Sequence, residues 1–388
     1  MKKYCQTTIV LFFLCASLLA AQTPRRQLPA SAAFTQLANR AVAARATEKL
    51  DEAIRLYQQA LRQKPNWVEG WWALGTIFYQ LDRYSEGRTA FQRLVAFEPR
   101  GGVGWAFLGL CEFQLKDYAN ALSHLERGRN SGLGDNPEIA AVAKYHAAIL
   151  LNRFEQFELA FVVLSETAKL QNENPAILEA FGLTMLRLPA LPSEIPADKR
   201  EMVMKTGRAA YLGATDKRDL ATQEYQELLA AFPSASNVHY AYGVFLLRDS
   251  PDEAMKEFKK ELELSPQHVS AHLQIAFEAI KRNEPQTGLA HAEAAVKLAP
   301  NLFAAHNALG RILLELGQIE RSIKELEIGV KQAPTSPEMY FALARAYSKA
   351  GRKPEADKAR AEFMRLDKIR RTGKENIIGD KSPSESKP

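Results

Sequence analysis

Apolar side chains recur every three or four residues along most of this 388-residue chain, in pairs of stretches separated by short polar segments. Between Val68 and Pro99, one stretch runs VEGWWALGTIFYQL and the next runs SEGRTAFQRLVAF. A period of about 3.6 residues over that length predicts amphipathic helices, two in each unit. Proline closes each unit because its ring cannot continue a helix and also restricts the residue before it.

The units return at a nearly constant distance. Pro65 and Pro99 lie 34 residues apart, and Pro266, Pro300 and Pro334 repeat that spacing. Small residues stand at the eighth position of several units, where they let two helices approach closely: Gly75, Gly109, Gly243 and Gly310. One unit cannot bury its apolar face alone, so the units must stack on one another.

This pattern resembles the tetratricopeptide repeat (TPR) family. The likeness is closest in the units that end at Pro65, Pro99, Pro300 and Pro334. It covers most of the chain from Ala33 to Leu366. The resemblance implies an all-α fold, a right-handed superhelical solenoid of roughly eight to nine antiparallel helix pairs.

The middle of the chain departs from the repeat. A helix without an obvious partner is expected from Pro175 to Leu188, and the three prolines that follow favour an extended loop. The next helix pair is expected at Lys199–Gly213 and Lys217–Ala231. The irregular segment is either a loop insertion on a continuous solenoid or a hinge between two blocks of repeats.

The first residues have the layout of a secretory signal peptide. Lys2 and Lys3 precede the apolar run Ile9–Ala21, and polar Gln22 follows it. Thirteen helical residues span about 20 Å, too short for a hydrocarbon core of about 30 Å, so a membrane anchor is the weaker interpretation. We predict cleavage near Ala21, a periplasmic or secreted mature protein, and no stable membrane insertion after cleavage.

The whole chain therefore divides into five predicted segments. These are a signal peptide at 1–21, an N-terminal TPR-like block at 33–174, an irregular helix and Pro-rich junction at 175–200, a C-terminal TPR-like block at 201–366, and a disordered tail at 367–388. The tail is assigned from its polar composition, which offers too few apolar residues to bury.

Composition and charge narrow the classes of function. An apolar fraction of 46% with 25% charged residues excludes an intrinsically disordered chain. The net charge of +6 comes from 51 basic and 45 acidic residues that are interspersed, without the basic cluster typical of nucleic-acid binding. Cleavage leaves Cys111 as the single cysteine, which cannot form an internal disulfide and is expected to be a buried, inert thiol.

The histidines follow the repeat instead of forming a metal-binding motif. His239, His272 and His306 lie 33 and 34 residues apart, at the fourth position of their units, where other units have Trp71 or Trp105. We expect them to be packing residues in register. The sequence also contains no phosphate-binding loop, zinc motif or serine-nucleophile motif. We therefore predict no enzyme activity, no cofactor and no metal.

The family resemblance implies a concave groove lined by the first helix of each unit. Its ligand-facing positions correspond here to Trp72, Tyr79, Phe113, Tyr145, Tyr240, Phe277, Lys281, Asn307, Arg311, Phe341 and Arg345. Tryptophan, tyrosine and arginine are residue types that anchor interfaces. The alternative is that neighbouring helices cover these aromatic residues as part of the core. The lysine and asparagine clamp with which some family members hold a C-terminal carboxylate is not reproduced.

With the export that the N-terminal layout predicts, the resemblance implies an exported, non-catalytic scaffold or adaptor that binds proteins or peptides in its groove. Arg311 and Arg345 occupy the same slot in successive units and favour an acidic ligand segment. A structural subunit of a cell-envelope assembly, bound along an edge, is the alternative, and an enzyme is a weaker one.

Overall fold

The structure, a computed structural model, describes residues 30–134, 137–169 and 173–378. Those residues form nineteen α-helices and one short 3-10 turn, and they contain no β-strand. This is the all-α architecture that the apolar periodicity predicts. The predicted signal peptide at 1–21 and residues 379–388 of the predicted tail lie outside the described residues.

The helices follow one another with short connections. The first nine are α1 Ala30–Ala46, α2 Leu50–Gln63, α3 Val68–Gln80, α4 Tyr84–Phe97, α5 Gly102–Gln114, α6 Tyr118–Ser131, α7 Pro137–Arg153, α8 Phe157–Ala168 and α9 Pro175–Met185. After the 3-10 turn Pro192–Glu194 come α10 Ala197–Ala214, α11 Arg218–Ala231, α12 Val238–Leu246, α13 Pro251–Leu264, α14 Val269–Lys281, α15 Pro285–Leu298, α16 Phe303–Glu315, α17 Ile319–Gln332, α18 Pro337–Lys349 and α19 Lys353–Ile378.

The described residues form two compact units, which divide between Ile77 and Phe78. In the first unit α1 packs against α2. The buried face of α2 carries side chains three or four residues apart: Ala53, Ile54, Leu56, Tyr57, Ala60 and Leu61. Trp67 closes the end of this pair, with its ring 5.2 Å from Phe34 and 5.7 Å from Tyr57. The pattern of apolar positions is thus the pattern of burial.

In the second unit each helix packs against the next one along the chain, and helices two apart also touch. Contacts join α14 to α16 and α16 to α18, the first helices of successive pairs. A helix pair therefore shares its apolar face with the pairs on both sides. This is the stacking that units too small to form their own core require.

The turn inside several helix pairs contains one residue in the left-handed backbone region. The turn residues Asp82, Lys116 and Asn283 have φ of 56°, 61° and 58°, and glycines take the equivalent place at Gly317 and Gly351. Non-glycine residues adopt this region at a cost, so the two glycines serve the turn better. The 34-residue repeat therefore extends to backbone geometry at the turn.

Aromatic rings at the fourth position of a unit make a recurrent hydrogen bond. The indole N–H of Trp105 donates to the carbonyl oxygen of Pro99 at 3.0 Å, and Trp71 donates in the same way to Pro65 at 2.7 Å. His239, His272 and His306 copy this arrangement through Nε2, each donating to the proline carbonyl six residues earlier, at 3.1, 3.0 and 2.8 Å. Histidine thus replaces tryptophan as the ring N–H donor that joins two units.

The helix expected to lack a partner has one. Helix α9 packs along α10, and at Gly182 the two backbones are so close that a Cβ would lie 2.0 Å from the carbonyl oxygen of Val203. Only glycine fits at that distance. The expectation of an unpartnered helix at Pro175–Leu188 is therefore wrong, because the longer connection to α10 obscures the usual spacing. Helix α10 packs against α11 as well.

The proline-rich connection between α9 and α10 is held by specific contacts. The side-chain amide of Asn152, on α7, donates to the carbonyl oxygens of Leu188 at 2.7 Å and Ala190 at 3.2 Å. Arg153 forms an ion pair with Glu194 at 2.6 Å. Hydrogen bonds to backbone carbonyls of a loop fix its path without regular secondary structure. The block boundaries at 174 and 200 stay predictions.

The last helix runs further than expected. Residues 367–378, predicted to belong to a disordered tail, continue α19. Leu366 and Asp367 are buried, and Arg370 forms ion pairs with Asp367 on its own helix and with Glu338 on α18. Ion pairs of Asp367 with Arg370 and Arg371 accompany the helix up to residue 371, and the disorder predicted for the tail stays a prediction.

Candidate functional site

The aromatic residues predicted in the first half of the chain are partly buried. Trp72 lies on α3, and its carbonyl oxygen accepts a hydrogen bond from the Thr76 hydroxyl at 3.0 Å. The Tyr79 ring packs edge-on against the rings of Tyr84 and Phe107, with ring centroids 5.5 and 5.4 Å apart. Burial raises the pKa of Tyr79. Neighbouring rings therefore cover part of Tyr79.

A second group of predicted aromatics is covered in a similar way. The Phe113 ring lies 4.7 Å from His146, and the Tyr145 ring lies 5.3 Å from the same imidazole. Burial raises the pKa of Tyr145 to about 12 and lowers that of His146. Phe113 on α5 packs across to His146 on α7, Tyr145 is the neighbour of His146 on α7, and both Phe113 and Tyr145 are partly buried against the core.

Two predicted site residues are buried. Tyr240 is 5% exposed and packs against the rings of Phe258 and His268, at 5.8 and 4.7 Å. Asn307 is 9% exposed, and its Oδ1 has no hydrogen-bond partner within the described part of the chain. The prediction that these side chains face a ligand is corrected here, because neighbouring residues cover both of them.

On α14, the two predicted residues differ in exposure. Phe277 is partly buried against the core formed by α14, α15 and α16. The Lys281 side chain is exposed, and its ammonium lies 3.5 Å from the carboxylate of Glu278, which is itself buried. Lys281 therefore compensates a buried charge on its own helix while remaining at the surface.

The last predicted residues come together at the C-terminal end of the described structure. Phe341 is 51% exposed, and its ring lies 5.4 Å from that of Phe363 on α19. Arg345 is one turn further along α18, and its guanidinium contacts Glu315 at 2.9 Å. On α16, Arg311 is half-buried, and burial together with the charge of Arg345 lowers its pKa.

Phe341 and Arg345 open onto a cavity of about 550 Å3 between α18 and α19, which we call the C-terminal cavity. Its lining residues are Phe341, Ala344, Arg345, Ser348, Lys349, Arg360, Phe363 and Met364. The α19 side of this cavity was not predicted from sequence. A sequence signal for it exists, since the last unit lacks the closing proline of the regular units.

A smaller cavity of about 330 Å3 lies where the proline-rich connection meets the start of α14. His268 and Arg187 both line it, and the imidazole Nε2 lies 2.7 Å from Oδ1 of Asn237. Burial and the charge of Arg187 lower the pKa of His268 to about 4, so the ring is neutral near pH 7. This group was not predicted, because loops far apart in sequence build it.

The described residues contain no group of three histidine, cysteine, aspartate or glutamate side chains that could hold one metal ion. Cys111 is fully buried, and burial raises the pKa of its thiol to about 12. The reactive thiolate form is therefore negligible near neutral pH.

Three segments of the chain match the model of one protein family. The tetratricopeptide repeat model matches residues 38–102, 273–337 and 307–362. This chain is a TPR protein. The matched segments include α2 and α3 near one end and α16 to α18 near the other, which are helices of the regular 34-residue units.

Solved TPR structures resemble parts of this TPR protein. A MamA double mutant (RS-1) is 19% identical and covers 45% of this chain and 97% of its own, with a TM-score of 0.40. MamA from Desulfovibrio magneticus RS-1 is 21% identical over 43% of this chain and 96% of its own, with a TM-score of 0.37. YrrB, a TPR protein with an unusual peptide-binding site, is 16% identical over 47% of this chain and 95% of its own, with a TM-score of 0.39. No curated protein sequence matches the chain.

Counted from Pro337, where the last repeat begins, Phe341 and Arg345 are the fifth and ninth residues. Both project from its first helix, α18, into the C-terminal cavity. Across the described ranges, none of the TPR helices combines the length and the apolar character needed to cross a membrane.

Proposed function

We propose that this TPR protein is an exported, non-catalytic scaffold that binds a protein or peptide on the first helices of its repeats. The observation that carries the proposal is the C-terminal cavity, because two residues predicted to face a ligand, Phe341 and Arg345, line it. Aromatic and arginine side chains of this kind dominate the energy of protein interfaces.

The exposure of large apolar side chains at this cavity supports the proposal. Phe341 is 51% exposed and Met364 is 57% exposed, and they stand on the two helices that form its walls. Contiguous apolar surface rimmed by polar groups on a folded chain is typical of an interaction site. A bound partner would remove that surface from water.

Two histidines, His239 and His306, support a non-catalytic role because both ring nitrogens of each already have partners. In His239 one nitrogen donates to Pro233 and the other lies 2.6 Å from Glu257. His306 has the same pair of contacts, with Pro300 and Glu325. A general base needs a nitrogen free to reach its substrate.

Export rests on the N-terminal sequence, where Lys2, Lys3 and the apolar run have the layout of a signal peptide.

Site-specific photocrosslinking in cells tests the scaffold function. A photoreactive p-benzoylphenylalanine at position 341 is expected to capture a defined partner. The same group at position 220 is the control, because Leu220 is equally exposed, at 54%, on the distant helix α11. Identical products from both positions, or none from 341, would contradict the proposal.

A further inference from the structure

The C-terminal cavity is lined by three cationic side chains and by no carboxylate. Arg345 and Lys349 come from α18 and Arg360 from α19, around an apolar floor that includes Phe341 and Phe363. We infer that this cavity binds an acidic peptide segment in which carboxylate side chains adjoin a large apolar side chain. The inference rests on the proposed scaffold function and names the chemistry of its ligand.

Local ion pairs do not balance the positive charge. Arg345 has Glu315 as a partner at 2.9 Å, and Arg360 has Asp357 at 3.0 Å. Lys349 has no ion-pair partner among the described residues. Like charges that face one surface repel each other, so a ligand that brings negative charge is favoured there.

Arg311 adds to this excess from the neighbouring unit. It precedes Arg345 by 34 residues, so the two occupy equivalent positions on α16 and α18, which are in contact. Its guanidinium is half-buried, and it makes no hydrogen bond or ion pair within the described chain. A partly desolvated cation without a partner is costly, and a ligand carboxylate would relieve that cost with charge-assisted hydrogen bonds.

Four cations and two carboxylates therefore meet at this end of the protein: Arg311, Arg345, Lys349 and Arg360 against Glu315 and Asp357. The difference of four minus two leaves two positive charges uncompensated. A ligand with two neighbouring acidic side chains would neutralise them.

The apolar residues that line the cavity favour a ligand that carries an apolar side chain as well as negative charge. The rings of Phe341 and Phe363 lie 5.4 Å apart, and Met364 extends beside them. A cavity of about 550 Å3 falls within the size range in which proteins enclose small ligands or side chains. Methionine adapts its shape to different apolar partners. An aromatic or long aliphatic side chain next to the acidic ones would fill this space.

Fluorescence anisotropy with three labelled peptides tests the inference on the mature chain. The probe carries two adjacent glutamates followed by two phenylalanines in a glycine–serine background. One matched peptide replaces the glutamates with glutamines, and the other replaces the phenylalanines with serines. We expect the probe to bind at least about tenfold more tightly than either matched peptide, with an affinity that falls as salt rises.

Single substitutions locate the binding. Lys349→Ala is expected to weaken binding of the glutamate probe about tenfold and to leave the glutamine peptide unchanged, without releasing a carboxylate partner. Lys358→Ala is the matched control, because it removes one exposed lysine charge from α19 outside the cavity lining and likewise releases no carboxylate partner among the described residues. Equal weakening by both substitutions would show unspecific attraction and overturn the inference.

The remaining outcomes separate this inference from the proposed function. If the glutamate and glutamine peptides bind equally well and Phe341→Ala abolishes both, the acidic preference is wrong while peptide binding stands. If no peptide binds and crosslinking at position 341 captures nothing, both fail. Self-association that Phe341→Ala abolishes would assign the cavity to a second copy of the chain. Binding to phosphatidylserine vesicles that Lys349→Ala abolishes, without peptide binding, would assign it to a membrane surface.

Discussion

The hydrogen bonds of His239 predict a pH-dependent contribution to stability in the middle of the second unit. The imidazole is 8% exposed, donates to the carbonyl of Pro233 at 3.1 Å, and lies 2.6 Å from the carboxylate of Glu257. The bond to Glu257 raises the pKa of His239 above 6.5, although burial opposes the change. Folding therefore favours the charged imidazolium.

The direction in which stability changes with pH follows from the directions of the two pKa shifts. The raised pKa of His239 contributes stability that is fully present below pH 6.5 and is lost as the pH rises through the folded-state value. Burial acts against ionisation of Glu257, but its bonds to His239 and Lys260 lower its pKa below 4.5. Its contribution is present above pH 4.5 and is lost as the pH falls through its folded-state value. The pair is thus strongest between pH 4.5 and 6.5.

His239→Ala should lower the free energy of unfolding of this region by about 1–3 kcal/mol at pH 5.5, because the buried carboxylate of Glu257 loses its imidazole partner and keeps only Lys260. About 1 kcal/mol of that loss belongs to the hydrogen bond with Pro233. His239→Trp is the matched variant, since tryptophan makes the same bond to proline at Trp105 but cannot titrate. It should recover the smaller part of the loss and remove the part of the pH dependence that comes from the imidazole.

Hydrogen exchange of the α12 amides is the suitable measurement, because stacked repeats can open locally without global unfolding. The difference in opening free energy between the native protein and His239→Ala should be larger at pH 5.5 than at pH 8.5. An equal difference at the two pH values would show that the ion pair contributes nothing and would refute this reasoning.

Four further predictions concern single positions. Lys116→Gly should stabilise the protein by about 0.5–1 kcal/mol in urea unfolding, because the φ of 61° suits glycine; a loss would contradict it. Gly182→Ala should destabilise by at least about 2 kcal/mol, since its Cβ would meet the Val203 carbonyl, and a native midpoint would contradict the close approach. Cys111 should resist a thiol reagent at pH 8 until denaturant is added, because burial raises its pKa to about 12. N-terminal sequencing of the exported protein should begin near Gln22, and a full-length product would refute export.

Much of the fold is predictable because the repeat spacing expresses local physics. Period, proline stops and small residues at fixed positions determine where the helices of regular units begin and which faces they bury. The pairing of α9 with α10 was not predictable in the same way. It depends on backbone contact at Gly182 across an unusually long connection, and no spacing rule encodes such a contact.

The candidate site was predictable only in part for a related reason. Position within the repeat predicts which side of a helix faces a ligand, and Phe341 and Arg345, which that rule selected, line a cavity. The same rule selected Tyr240, which His268 and Arg187 cover from other parts of the chain. Exposure is decided by neighbours that are distant in sequence. Phe363 was missed because the rule considers first helices alone.

The exchange of tryptophan for histidine at the fourth position divides the spectroscopic properties of the protein along its sequence. All four tryptophans lie between Trp67 and Trp105, whereas the three histidines that donate to proline lie between His239 and His306. Tryptophan fluorescence therefore follows the early repeats, and the imidazole NMR signals of His239, His272 and His306 follow the late ones. One unlabelled sample can thus report in which part of the array unfolding begins.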